Sequence, residues 1–242
     1  RAQLHFLGGM GILVLAIAVM PMLGVGGMSL VKAESSGPMK DAKLTPRIAH
    51  TARALWLVYV TLNIACILAY KMAGMGWFDA VVHGFSTIGT GGYSSHDASM
   101  AWFNSPAIEW VCIFFMLASS ISYGLHFTAW RHGSFRDYWR DEEFQAFCLI
   151  VLGLWVLVSV PLVLYEQYPT WQENLRYGIF QASSYGATAG FATADPSKWP
   201  IYVPVLLVLA TYIVGCAGST AGGFKVVREL ILFKQGIRDM KR

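Results

Sequence analysis

Apolar residues occur along this chain in long uninterrupted blocks, and not in the alternating stripes of a soluble core. A helix of about 20 apolar residues is long enough to cross a hydrocarbon core of about 30 Å. The last block is too long and too interrupted to form one simple helix. We therefore predict membrane spans at residues 7–28, 54–73, 108–128 and 144–164, and a broken span at 201–233.

Two shorter apolar segments lie between these blocks. Residues 77–89 and 174–187 are too short to cross a bilayer, and each is followed by a glycine-containing stretch and then by a full-length block. Asp79 lies in the first turn of the first segment, where a carboxylate suits a helix N-terminus. We predict that both segments are re-entrant helices of a pore-loop arrangement.

The stretches that follow the two short segments are related in sequence. Aligned on Gly92 and Gly190, both have Thr two residues before the glycine, an aromatic residue one after it, Asp five after it and Ser seven after it. One such tetrapeptide alone is typical of an ordinary turn. Two aligned copies in the same position between helices favour a repeated pore loop. The matching pairs are Thr90 and Thr188, Tyr93 and Phe191, Asp97 and Asp195, and Ser99 and Ser197.

Composition and charge place this chain in a membrane and orient it. Apolar residues make up 55% of the chain and charged residues only 13%, which is the balance of a membrane protein. The basic residues concentrate in 29–53 and from Lys225 onward. If successive spans cross the membrane in alternating directions, both groups lie on the same face of the membrane. The positive-inside rule predicts that this face is cytoplasmic. The charged loop at 131–143 is balanced in sign. The opposite face carries Asp79, Asp97, Glu166, Glu173 and Asp195, which favour cations over anions.

Irregular backbone inside a membrane needs protein or a wet cavity around it, because each unpaired backbone group in lipid costs several kcal/mol. Carbonyl oxygens aimed at a pore axis satisfy this need, since a dehydrated alkali cation takes those dipoles in place of water.

Ser94 and Ala192 stand where a strict potassium filter has a second glycine, so we expect weaker discrimination against sodium. Tyr93 and Phe191 are predicted to pack behind the filter. The predicted filter residues are Thr90, Gly91, Gly92, Thr188, Ala189 and Gly190, with potassium as the transported ion and no organic cofactor.

Nine small or polar residues interrupt the last apolar block. Their backbone cannot face lipid, so it must face the cavity, and small side chains make such a segment easy to rearrange. We predict a gate below the filter, with Lys225 holding the closed loop or repelling cations. A static break that serves only packing or binding is the alternative. The gate residues are Gly215, Cys216, Ala217, Gly218, Ser219, Thr220, Ala221, Gly222, Gly223 and Lys225.

On these residues the chain resembles the membrane subunits of Trk-type potassium uptake systems (TrkH type), in the superfamily that includes the Ktr and plant HKT transporters. The resemblance rests on residues 7–11, 89–94 with 96–99, 188–191, and 215–220 followed by Lys225. It implies an all-α polytopic membrane protein, related to potassium-channel pores, with four helix, pore-loop, helix repeats in one polypeptide. It also implies a homodimer in the cell inner membrane, in contact with lipids, controlled by a cytosolic nucleotide-binding ring of the TrkA type and binding no nucleic acid.

The chain contains fewer than the four repeats that the resemblance implies. Residues 1–50 match the last span of an incomplete first repeat and a cytoplasmic loop, and 51–140 match the second repeat, with its pore loop at 77–95. Residues 141–242 match the third, with a pore loop at 174–193 and a broken helix at 201–233. A fourth repeat is absent. The chain starts at Arg1 and ends within a basic pattern at Arg242, so we expect a piece of a larger polypeptide whose intact parent carries out permeation.

Two other functions stay open at this point. One is a non-conducting scaffold subunit with vestigial filters. The other is an intramembrane hydrolase using His96, Asp97 or His126, although the chain has neither a Gly-x-Ser-x-Gly elbow nor a His-Glu-x-x-His motif. The sequence favours a transporter, either a channel or a cation-coupled symporter, and not an enzyme.

Overall fold

Helices supply the regular secondary structure in the part of the chain that the computed structural model describes, residues 1–11, 48–212 and 215–240. This confirms the predicted all-α class. A π-helical turn, Leu7–Gly11, follows the first helix, and short 3-10 turns lie at Ser99–Phe103 and Pro196–Lys198. The helices are α1 (Ala2–Phe6), α2 (Ile48–Met72), α3 (Trp77–Ile88), α4 (Pro106–Ser120), α5 (Tyr123–His132), α6 (Arg136–Arg140), α7 (Glu142–Leu164), α8 (Trp171–Gly186), α9 (Tyr202–Ala210) and α10 (Val226–Met240).

Two of the described helices are each long and apolar enough to cross a membrane. The span in α2 covers Arg53–Met72 with a mean hydropathy of 1.6, and α7 covers Glu142–Leu164 with 2.8. They agree with the spans predicted at 54–73 and 144–164. The predicted first span at 7–28 and the basic loop after it lie for the most part outside the described residues.

The two short helices have the length expected of re-entrant segments. Helix α3 has 12 residues and α8 has 16, so at 1.5 Å per residue they are about 18 and 24 Å long. Both fall short of a hydrocarbon core of about 30 Å. Thr170 caps α8 by accepting a hydrogen bond from the Glu173 amide, whereas α3 begins after Gly76 without a side-chain cap.

The span predicted at 108–128 differs from the prediction, because it is not one helix. It forms α4 and α5, which are bent by 96° at a break after Ser120. The carbonyls freed by the break are satisfied from elsewhere, since Ser119 O accepts from Thr220 N at 3.3 Å and Ser120 O from Cys216 N at 2.8 Å. A break at membrane depth is stable when its backbone groups find such partners within the protein.

The last apolar block is also broken, as predicted, into α9 and α10. The two breaks lie at the same distance from the two aligned glycines, because Ile121 follows Gly92 by 29 residues and Ser219 follows Gly190 by 29 residues. The hydrogen bonds between Ser119, Ser120 and the loop at 215–223 therefore join one broken helix to the other.

The described residues form two apolar cores. The first is built mainly from α2, α3 and α4, around residues such as Tyr59, Tyr70 and Met116. It also includes Ala189 and Phe191 from the second stretch. The second core is built from α7, α8 and α9 with the start of α10. The second stretch therefore packs into the first core.

Close packing of α7 on α8 depends on Gly178. A Cβ at this position would lie 2.5 Å from Ser159 Oγ and 2.9 Å from Ser159 Cα, so the backbones of the two helices would have to separate. We expect Gly178→Ala to destabilise the protein by about 1–3 kcal/mol, the usual cost of overpacking. The measurement is the midpoint of thermal unfolding of the intact parent in detergent.

Gly153 on α7 provides the matched control for this prediction. Nothing lies within 4 Å of a Cβ built there, and alanine has the higher helix propensity. Gly153→Ala should therefore leave the midpoint unchanged or raise it. Equal losses at both positions would contradict the packing argument.

Candidate functional site

The backbones of the two stretches have the same unusual conformation. The φ angles are 48° at Thr90, 65° at Gly92, 52° at Thr188 and 83° at Gly190, while the residues between them are not left-handed. A threonine in the left-handed region is strained by about 1–2 kcal/mol, so the surrounding structure must hold it there.

Equivalent serines support both stretches from the re-entrant helices. Ser86 O accepts from Gly91 N and Ser184 O accepts from Ala189 N, each at 2.8 Å. The hydroxyls reach the residue after the glycine, because Ser86 Oγ accepts from Tyr93 N at 2.6 Å and Ser184 Oγ donates to Phe191 O at 2.7 Å. Sequence reasoning missed these serines, although each lies six residues before the aligned glycine.

A second pair of equivalent residues supports the outer part of each loop. His83 Nδ1 donates to Asp79 O at 2.8 Å, so its Nε2 accepts from Ser94 Oγ at 2.9 Å. Gln181 Nε2 donates to Ala194 O at 2.5 Å. Both His83 and Gln181 are fully buried and lie nine residues before the aligned glycine. Their role was likewise not predicted.

The two stretches meet side by side. A Cβ at Gly92 would lie 2.4 Å from Ala189 O and 3.0 Å from Gly190 Cα, so only glycine permits this approach. Further out, Ser99 Oγ accepts from Ala192 N and Ala192 O accepts from Ala101 N, both at 3.2 Å. Five of the six predicted filter residues are thus within this contact or next to it in sequence.

The aromatic residues after the two glycines have different surroundings. Phe191 is 1% exposed and its ring lies 6.1 Å from that of His83, behind the second stretch. Tyr93 is half-buried and meets the ring of His5 edge-on at 6.2 Å. His5 also covers the first stretch, since a Cβ at Gly91 would lie 2.1 Å from His5 Nδ1.

The loop at 215–223 lies directly against the inner ends of both stretches. Thr90 Oγ1 donates to Thr220 O at 2.8 Å, and Gly222 N donates to Thr188 Oγ1 at 2.6 Å. Thr220 Oγ1 in turn donates to Ile88 O, the last carbonyl of α3, at 2.9 Å. The predicted gate and the two predicted filter threonines therefore form one hydrogen-bonded unit.

Other contacts fold the loop back on itself. Ser219 Oγ donates to Cys216 O at 2.7 Å, and Lys225 Nζ donates to Ala221 O. Lys225 therefore contacts the loop through its ammonium group.

The electrostatics of the site favour cations on both sides of the stretches. Helices α3 and α8 end immediately before them, and a helix C-terminus carries partial negative charge. At the outer mouth, burial raises the pKa of Asp79, but hydrogen bonds from Ser95 and His96 outweigh it and leave the pKa below its ordinary value. Hydrogen bonds from Ser197 lower the pKa of Asp195. Both carboxylates are therefore ionised at neutral pH.

The histidines considered for a hydrolase have other partners. His96 stacks on Trp102 with ring centroids 4.5 Å apart and pairs with Asp79 at 3.3 Å. His126 lies between Ala118 O at 2.8 Å and the Tyr138 hydroxyl at 2.7 Å. His96 meets the Ser94 hydroxyl only through its backbone N–H, at 3.1 Å. In the described part of the chain neither imidazole ring has a hydrogen bond to a serine hydroxyl, so neither forms a base and nucleophile pair there.

Comparison with known proteins gives consistent matches over the full chain. The model of the TrkH family, described as cation transport protein, matches residues 1–242. The Trk system potassium uptake protein TrkH of Halomonas elongata is 51% identical, and that of Escherichia coli K12 is 49% identical, over 242 residues. These alignments cover 100% of this chain and 50% of each relative.

A solved structure agrees with the sequence matches. The crystal structure of the potassium transporter TrkH from Vibrio parahaemolyticus superposes with a TM-score of 0.85 at 44% identity, covering 100% of this chain and 49% of that one. The chain thus spans about half the length of the relatives that it matches.

Proposed function

The chain belongs to the TrkH family of cation transport proteins, and from that premise we propose that in the intact parent it conducts potassium through a filter of backbone carbonyls that the loop at 215–223 gates. Membership of the family confirms the resemblance inferred from sequence and makes the chain part of a membrane transporter and not an enzyme. The hydrolase alternative is therefore wrong.

One observation carries the proposal. Two stretches with the same left-handed threonine and glycine meet side by side, and one loop is hydrogen-bonded to both threonines. Turns that only connected helices would need neither the shared conformation nor a common partner. The division of the chain into half a repeat and two whole repeats is part of the same proposal, supported by the equivalent positions of the two stretches and the two breaks.

The proposed ion path follows from the chemistry of these groups. Ionised Asp79 and Asp195 concentrate cations at the outer mouth. The carbonyl oxygens of Thr90, Gly91, Gly92, Thr188, Ala189 and Gly190, together with those of two further segments in the parent, replace the water around potassium. The negative ends of α3 and α8 stabilise the cation below the filter. Because Ser94 and Ala192 replace the second glycine of a strict potassium filter, we propose that sodium is excluded less completely.

Ion flux in liposomes tests the proposal. The intact parent, reconstituted in vesicles loaded with potassium, should pass potassium faster than sodium, and vesicles without protein should pass neither. A scaffold with vestigial filters predicts folded protein and no alkali-ion flux above the empty vesicles. That result would reject the conducting function.

The partners are also proposals. We propose that the parent is a homodimer in the cell inner membrane and that its cytoplasmic face binds a nucleotide-binding ring of the TrkA type, as the word "system" in the names of its relatives suggests. Of the basic residues on this face, Lys40, Lys43, Arg47, Lys241 and Arg242 lie outside the described residues. Arg136 and Arg140 on α6 are described and exposed.

Charge reversal separates ring binding from lipid contact. We expect Arg136→Glu with Arg140→Glu to weaken capture of the ring in a pull-down by about tenfold, the effect of roughly 1.4 kcal/mol. Lys198→Glu on the opposite face, where Lys198 is also exposed, should not change it. Unchanged capture by the α6 variant would favour the alternative, in which these residues only set topology and contact anionic headgroups.

A further inference from the structure

A buried carboxylate connects both ends of the loop at 215–223. Glu143 is the second residue of α7 and is 8% exposed. Its Oε1 accepts from Ala217 N at 2.7 Å and from Val227 N at 3.2 Å. Ala217 lies near the start of the loop, and Val227 is the second residue of α10, which follows the loop. Glu143 Oε1 therefore bridges the start of the loop and the start of α10, on the cytoplasmic side of the loop.

Both donors need an acceptor of this kind. The Val227 amide belongs to the first turn of α10, where N–H groups have no partner within the helix and negative charge is favoured. The Ala217 amide lies in irregular backbone at membrane depth, where an unpaired N–H is costly. Hydrogen bonds to a carboxylate are roughly twice as strong as those to a neutral acceptor. A buried carboxylate is in turn costly unless it keeps such donors.

The start of α7 is also tied to the cytoplasmic helix α6. Asp141 caps α7 by accepting from Phe144 N at 2.7 Å, and Gln145 Nε2 donates to Trp139 O at 2.6 Å. The rings of Tyr138 and Phe144 lie 5.3 Å apart. A displacement of α6 therefore moves the segment that carries Glu143.

We propose that Glu143 is a positioning residue that holds the loop at 215–223 in its closed arrangement, and that the cytoplasmic helix α6 acts on the gate through it. The inference rests on the proposed gate and adds to it the side chain that keeps it closed. Opening of the loop requires that Oε1 lose its hydrogen bond to the Ala217 amide, to the Val227 amide, or to both. Weakening the acceptor should therefore favour the open loop.

Two substitutions at Glu143 and one at its neighbour test this inference in the intact parent. Glu143→Ala removes the acceptor, and Glu143→Gln keeps the shape with a neutral one. We expect Glu143→Ala to raise potassium flux about fivefold, which corresponds to about 1 kcal/mol, with Glu143→Gln between it and the wild type. Glu142→Gln is the control, because Glu142 pairs with Lys234 of α10 only at the exposed surface. It should leave the flux unchanged.

Accessibility of Cys216 gives a second readout that loss of stability alone does not reproduce. Cys216 lies in the loop and is 1% exposed. In a parent whose other cysteines are replaced, a maleimide added from the cytoplasmic side should label Cys216 faster in Glu143→Ala than in wild type at temperatures well below unfolding. The preference for potassium over sodium should be the same in both, because the filter is not altered.

The outcomes separate this inference from the proposed gate. If deletion of residues 219–222 raises flux but both Glu143 variants behave as wild type in flux and labelling, the inference about Glu143 is wrong and the gate stands. If neither the deletion nor the substitutions raise flux, the gate itself is wrong. Should Glu143→Ala not fold, the Glu143→Gln variant decides, and wild-type flux with wild-type labelling in that variant overturns the inference.

Discussion

Replacing Gly92 by serine should lower the potassium preference of the intact parent more than the same change at Gly190. Both glycines have positive φ, so a side chain at either one is strained by about 1–2 kcal/mol. Only at Gly92 does the new Cβ collide with the neighbouring stretch, 2.4 Å from Ala189 O. At Gly190 the nearest atom is Gly92 Cα at 3.8 Å. The serine at 92 must therefore displace a carbonyl of the proposed filter.

We expect Gly92→Ser to reduce the ratio of potassium to sodium flux by about tenfold, equivalent to roughly 1.4 kcal/mol, before total flux is lost. Gly190→Ser should reduce it by a smaller factor. Flux ratios of reconstituted parent measure both. Gly133→Ser is the control, because Gly133 has a similar left-handed φ of 61° with nothing within 4 Å of its Cβ and lies in the turn after α5, outside the two stretches. Unchanged preference in Gly92→Ser, or a larger loss at Gly190, would contradict the assignment of the filter.

The lengths of the apolar blocks predicted the helices well because length is a local property. A helix rises about 1.5 Å per residue. The 12 residues of α3 are therefore too few to cross a hydrocarbon core that the 23 residues of α7 can cross. The broken final span was predictable for a similar reason, since nine small residues in succession cannot remain an ordinary lipid-facing helix. The break after Ser120 was not predicted, because Ser119 and Ser120 are a short interruption that a continuous helix tolerates.

The missed features of the site depend on contacts between residues far apart in the chain. The break after Ser120 is stable because Cys216 and Thr220 supply donors to it. From sequence Glu143 was assigned to a loop of balanced charge, whereas it lies in the first turn of α7, and its amide partner Ala217 is 74 residues away. Ser86 and Ser184 are different, because their equal offset from the aligned glycines was visible in the sequence. Extending the comparison of the two repeats backward through the re-entrant helices would have found them.

Deleting residues 219–222 should open the proposed pore. In the present arrangement the Thr220 hydroxyl donates to Ile88 O at the C-terminus of α3, where partial negative charge would otherwise stabilise a cation. The deletion removes this bond together with those from Thr90 to Thr220 O, from Thr220 N to Ser119 O and from Gly222 N to Thr188. These contacts hold the loop beneath both stretches, so their loss leaves the inner end of the path free.

Each hydrogen bond contributes about 1 kcal/mol net. Losing four of them therefore destabilises the present arrangement of the loop by more than the roughly 1.4 kcal/mol that shifts an equilibrium tenfold. We therefore expect potassium flux to rise by at least about tenfold on that scale, with the ratio of potassium to sodium flux unchanged because the filter carbonyls remain. Thr220→Val removes only the hydroxyl bonds and should give a smaller increase. Wild-type flux in a deletion variant that unfolds at the wild-type temperature would show that the loop does not limit permeation, and the break would then serve packing alone.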